Sequence, residues 1–129
     1  MSGAIALGVA ADYITKLGLE NIKTHEKELI NYAINELEKI EGLTIYGPKD
    51  SKDKVGAISF TIKGIHPHDI SAVLAEQNIC IRAGHHCAAP VHAKYGISAT
   101  ARASFHAYNS KSDIDKLIKG VKHAKELLS

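Results

Sequence analysis

Ile79-Cys80-Ile81-Arg82-Ala83-Gly84-His85-His86-Cys87-Ala88-Ala89-Pro90 is the stretch on which the reading of this chain turns. An apolar, strand-like run gives way at a glycine to one thiol beside two imidazoles, with a guanidinium just upstream. Cationic neighbours favour thiolate over thiol, so Cys87 reads as a sulfur nucleophile, with Arg82, His85 and His86 as its charge support. Gly84 can take backbone conformations closed to other residues and lets the loop swing or approach a ligand closely. The bland alternatives are a small buried cysteine for Cys87 and simple solubility for Arg82. Cys80 is the reverse case: lying between two isoleucines, it is expected in the core.

Downstream, Ala99-Thr100-Ala101-Arg102-Ala103-Ser104-Phe105 places a lone arginine in a second strand-like segment. Side chains alternate across a strand, so if the alanines face a core, Arg102 faces a cleft. Its planar fork suits a carboxylate, although a surface salt bridge is the ordinary use of such a residue. Ser104 shares that face and is expected to line the same cleft, or to be merely solvated.

Working outward, two helices open the chain. Ala6, Val9, Ala10, Tyr13 and Leu17 recur at helical spacing before Gly18, and residues 19–41 form an amphipathic helix with Ile22, Leu29, Ala33, Leu37 and Ile40 inside. Leu43 to Tyr46 and Val55 to Ile62 read as paired strands around a turn-rich Gly47–Ser51 connection. Pro67 and Asp69 start a helix that Asn78 ends, Ile79 to Arg82 and Thr100 to Phe105 are two more strands, and Ser110 with Asp113 caps a final helix. The order ααββαββα predicts an α+β fold: a small, largely antiparallel four-stranded sheet covered by helices.

Composition narrows the function. The chain is 45% hydrophobic, enough for one modest core, and residues 1–129 are expected to form a single domain. Its 16 basic and 14 acidic residues are interspersed, and aromatic residues make up only 5%, which argues against nucleic-acid binding. The apolar run from Gly3 to Ala11 is too short to span a membrane and reads as a buried helix whose partner surface lies outside this chain. Two cysteines without a signal peptide point to a reducing, cytoplasmic location. No metal site is expected, because His85, His86 and Cys87 are consecutive rather than paired at zinc-ligand spacing, even with His66 and His68 at hand. His92, His106 and His123 are assigned surface or packing roles.

The RxGHHC segment from Arg82 to Cys87, Ala99 to Phe105, Ser2 to Gly8, His66-Pro67-His68-Asp69 and Tyr108-Asn109 together resemble the C-terminal small domain of a PLP-dependent cysteine desulfurase of the SufS type, in the class V aminotransferase family of fold-type I. The resemblance implies that L-cysteine forms a Schiff base with pyridoxal phosphate, that Arg102 grips its carboxylate, and that Cys87 takes the sulfur as a persulfide and releases alanine. The persulfide would pass to a SufE- or SufU-type acceptor for iron–sulfur cluster assembly, and His68 would touch that partner, helix capping being its alternative role. Family members also carry a PLP-binding domain with an SxHK-like lysine segment, and are homodimers. This sequence contains no such segment; Lys27 follows His25-Glu26 on an amphipathic helix. The expectation is therefore a portion of the enzyme, inactive alone, with residues 1–18 as the helix leading to the missing domain. Two rival readings are a stand-alone persulfide carrier or interaction domain that uses no PLP, and a portion of a selenocysteine lyase or cysteine sulfinate desulfinase.

Overall fold

A computed structural model describes residues 1–48 and 56–129. Helices α1 (Ser2–Leu17) and α2 (Leu19–Leu37) lead into β1 (Leu43–Tyr46) and β2 (Ala57–Ile62), followed by α3 (Pro67–Glu76), β3 (Arg82–Gly84), α4 (Ala89–Tyr95), β4 (Thr100–Ser104) and α5 (Lys111–Leu128). The expected start of β2 at Val55, and Lys49 to Ser51 of the turn before it, lie outside the described residues.

All three strand pairings are antiparallel, in the order β1-β2-β4-β3. Alternation decides the two faces. Ile58, Phe60 and Ile62 of β2 and Ala101 and Ala103 of β4 point inward, where Leu29, Ile30, Ala33 and Leu37 of α2, Ile70 and Leu74 of α3, and Ile114, Leu117 and Val121 of α5 close over them. The alanines of β4 let helices approach the sheet. Gly120 does the same between α5 and α3, since a Cβ there would lie 2.8 Å from Ile79 Cδ1. The α+β sandwich expected from the pattern is the fold observed.

Four local expectations need correction. Residues 89–95, expected as loop, form α4, which begins around Pro90 and ends at the left-handed Gly96. The third strand is Arg82–Gly84, not Ile79 to Arg82. The backbone before it is taken by the end of α3: Ile79 N–H donates to Leu74 O at 3.0 Å, and Ile81 O accepts from the Ser71 hydroxyl at 3.3 Å. Cys80 is consequently exposed, not in the core. Helix α2 ends at Leu37, and Ile40 reaches the core from the turn that follows.

The capping signals hold at the chain's last helix, where Ser110 N–H donates to Asp113 Oδ2 at 2.9 Å. Helix α1 has no buried residue, and Ile5, Leu7, Val9 and Tyr13 stay exposed. No helix among the described residues is long and apolar enough to cross a membrane.

Candidate functional site

The outer face of the sheet, opposite the packed helices, carries the polar residues of the candidate site. Pairing registers align Tyr46, Ser59, Arg102 and Arg82 in one row across all four strands, because Tyr46 faces Ser59, Ser59 faces Arg102 and Arg102 faces Arg82. Directly opposed residues share a face, so two arginines project from the same side of the sheet at neighbouring positions. Neither makes a salt bridge among the described residues. Like charges so placed repel, and an anion is the natural relief.

Arg102 is half-buried, and its Nε–H is enclosed with no hydrogen-bond partner among the described residues. It lines a cleft of about 350 Å³ together with Tyr46, Ser59, His86, Tyr95 and Thr100. Ser104 does not join this cleft. It lines a separate groove with Cys80, at the other end of the strand.

Cys87 is exposed and sits in a tight turn. Ala88 N–H donates to His85 O at 2.8 Å, and both central residues have positive φ, 53° at His86 and 60° at Cys87. This is the signature of a type I′ turn, whose central positions normally go to Asn and Gly. For a histidine and a cysteine the left-handed region costs about 1–2 kcal/mol each. Gly84, with φ 128°, ends β3 where glycine's freedom is required and leads into that turn.

His86 is anchored by its Nε2–H, which donates to Thr100 O at 3.1 Å. That leaves Nδ1 as an acceptor, buried and without a partner among the described residues. Burial pushes the His86 pKa below the usual imidazole range; the bond to Thr100 opposes this, and the charges of Arg102 and Arg82 reinforce it. His86 is therefore harder to protonate than an ordinary imidazole, which weakens the charge support expected of it from sequence. His85 is exposed and stacks edge-on against His92, with centroids 5.5 Å apart.

His68 is exposed at the start of α3, beside His66 at 5.1 Å between ring centroids. The helix cap is His66, whose Nδ1 accepts from His68 N–H, so His68 keeps its ring free of capping. Among the described residues no group of three or more His, Cys, Asp or Glu side chains could hold a metal ion. Sequence reasoning missed His92, which is buried beneath the cysteine turn, and Thr100 beside it. Only the flanking helix signals, Pro90 and Gly96, could have hinted at an ordered support there.

Residues 1–117 match the family model described as aminotransferase class-V. A probable cysteine desulfurase of Halalkalibacterium halodurans is 47% identical over 126 residues, covering 98% of this chain and 30% of the relative. The apo structure of a cysteine desulfurase from Thermococcus onnurineus superposes with a TM-score of 0.89 at 40% identity, over 98% of this chain and 30% of that one. The cysteine desulfurase CsdA of Escherichia coli, in an S-sulfonic acid form, gives 0.89 at 34% identity, over 98% and 31%. The chain thus spans about 30% of the length of the relatives it matches.

Proposed function

Because the chain belongs to the class-V aminotransferase family, we propose that it is the sulfur-accepting portion of a PLP-dependent cysteine desulfurase of the SufS type. The observation that carries this reading is the exposed Cys87 on its strained turn, beside a cleft lined by Arg102, which makes no salt bridge among the described residues. Left-handed non-glycine residues persist where surrounding structure over-determines them, and they cluster at functional sites.

Arg102 would hold the carboxylate of L-cysteine, its fork offering two parallel N–H donors. Arg82, next in the row, adds positive potential. The Cys87 sulfur attacks the substrate sulfur: a sulfur–sulfur bond forms, the substrate carbon–sulfur bond breaks, and its electron pair stays with the carbon skeleton, which takes a proton and leaves as alanine. The proton of the Cys87 thiol is balanced by the one that the carbon skeleton takes up.

Pyridoxal phosphate supplies electron withdrawal in such enzymes. The cleft residues do not fit its anchoring, since none of the described residues that line the cleft is a lysine. The cofactor would be held by a portion of the enzyme outside this chain, to which the exposed apolar residues of α1 lead, and the assembled protein would be a cytoplasmic homodimer. The Cys87 persulfide would pass to a SufE- or SufU-type acceptor for iron–sulfur cluster assembly, with His68 offering its exposed imidazole to that partner.

The test uses the full-length protein that contains this chain. Alanine release from L-cysteine and sulfur-labelled Cys87 are expected in the parent and in Cys80→Ser, and both should vanish in Cys87→Ser while PLP absorbance is retained. Persulfide formation that survives Cys87→Ser would overturn the assignment.

A further inference from the structure

His92 does not behave as a packing residue. Its imidazole is 6% exposed, yet both ring nitrogens are satisfied: Nδ1–H donates to Ala88 O at 3.1 Å, and Nε2 accepts from the Thr100 hydroxyl at 3.2 Å. A carbonyl can only accept, so the first bond fixes the tautomer and the second follows from it. Thr100 is 2% exposed and is the hub of the arrangement, because its own carbonyl accepts from His86 Nε2–H at 3.1 Å. Through Thr100, the residue before Cys87 is tied to β4; through His92, the residue after it is tied to the same threonine. Its strand partner Gly84 ends the run into the turn.

We propose that His92 and Thr100 are positioning residues for Cys87, forming a clasp that grips both neighbours of the sulfur and holds its turn in the left-handed conformation. The chemistry of the reaction leaves the clasp untouched: neither side chain needs to meet the substrate sulfur. What it provides is a fixed bearing for the thiol, which an uncompensated pair of left-handed residues would lose by relaxing to ordinary backbone. An apolar filler at residue 92 would occupy the space, leave the Thr100 hydroxyl without its partner, and leave Ala88 O only its backbone donors, Val91 N–H and His92 N–H. The inference rests on Cys87 being the sulfur acceptor, and its test is independent of that reading.

Residue-resolved amide hydrogen exchange on the 129-residue chain, whose core is built from its own helices and sheet, reads the clasp at Ala88 N–H, the bond that closes the turn. Thr100→Val keeps the volume and the backbone carbonyl but removes the hydroxyl, and is expected to speed Ala88 exchange about 5- to 30-fold, the lower part of the cost of leaving a buried acceptor, here His92 Nε2, unsatisfied. His92→Leu should do the same, and the double variant should exceed the larger single effect by no more than about twofold, because both cut one link. Thr100→Ser restores the hydroxyl and should return exchange to within about twofold of the parent. Amides of β2 and α5 should be unchanged throughout. Unaltered Ala88 exchange in Thr100→Val, fully additive effects, or an equal rise across β2 and α5 would each overturn the proposal. If His92→Leu does not fold, the Val and Ser variants at Thr100 decide alone. Loss of sulfur labelling at Cys87 with the clasp intact would sink only the desulfurase reading.

Discussion

Replacing Cys87 by glycine should make this chain more stable, although it deletes the candidate nucleophile. Cys87 has φ 60°, a conformation that costs an L-residue about 1–2 kcal/mol and glycine almost nothing. Glycine also loosens the unfolded chain, an opposing cost of about 0.5–1 kcal/mol. The thiol is exposed and makes no hydrogen bond among the described residues, so little else is lost. The balance is a gain of about 1 kcal/mol, equivalent to a rise in melting temperature of roughly 3–4 °C for a domain of this size. Urea denaturation of the Cys87→Gly and Cys87→Ala chains is the informative comparison, since both lack the sulfur and only alanine keeps the strain. With an m-value near ~2 kcal/mol/M, the midpoints should differ by about 0.5 M in favour of glycine. Equal midpoints, or a less stable glycine variant, would refute the claim that the sulfur's turn stores conformational energy.

Arg102→Lys in the full-length enzyme should lower kcat/KM for L-cysteine about 10- to 100-fold, because an ammonium cannot reproduce the two-pronged grip on a carboxylate; steady-state alanine release checks this. His86 is held low in the folded state and ordinary in the unfolded one, so its share of stability is full above about pH 6.5 and is lost as pH falls through the lower folded-state value. An NMR titration should place its midpoint below that of a free histidine peptide, and Arg102→Met should move it upward. Phe60, fully buried in the centre of β2, should cost about 3–5 kcal/mol on replacement by alanine, measured by urea denaturation.

The helices and the inward faces of the strands were legible because each repeats a local period that burial then obeys. Leu29, Ala33 and Leu37 recur at helical spacing, and Ile58, Phe60 and Ile62 recur at strand spacing. The Ser110–Asp113 cap is likewise a local device. Cys80 was not legible, since its apolar neighbours imitate a strand while the end of α3 claims their backbone groups. Cys87 and Arg102 stood out by residue type and context. The lowered pKa of His86 did not, because it depends first on burial and then on the charge of Arg102, which only the sheet brings near. His92 lies in the same class: its sequence context offers a histidine in a presumed loop, and the role proposed for it depends on its bond to Thr100.

The sheet explains why these features coincide. A four-stranded antiparallel sheet with three helices on one face must commit its alternate residues to hydrocarbon, which leaves the opposite face free for polar groups. On β4 this division gives Ala101 and Ala103 to the core and Thr100 and Arg102 to the cleft, two residues apart on one face. That spacing lets one strand do two jobs. In the proposed arrangement Thr100 would fix the turn that bears the sulfur while Arg102 would face an anionic substrate, so one strand would position both the nucleophile's turn and the anion site. The arginine row, without a salt bridge among the described residues, and the strained turn both cost stability, and both sit on the uncovered face. A fold selected for stability alone would have paired the one and put glycine in the other.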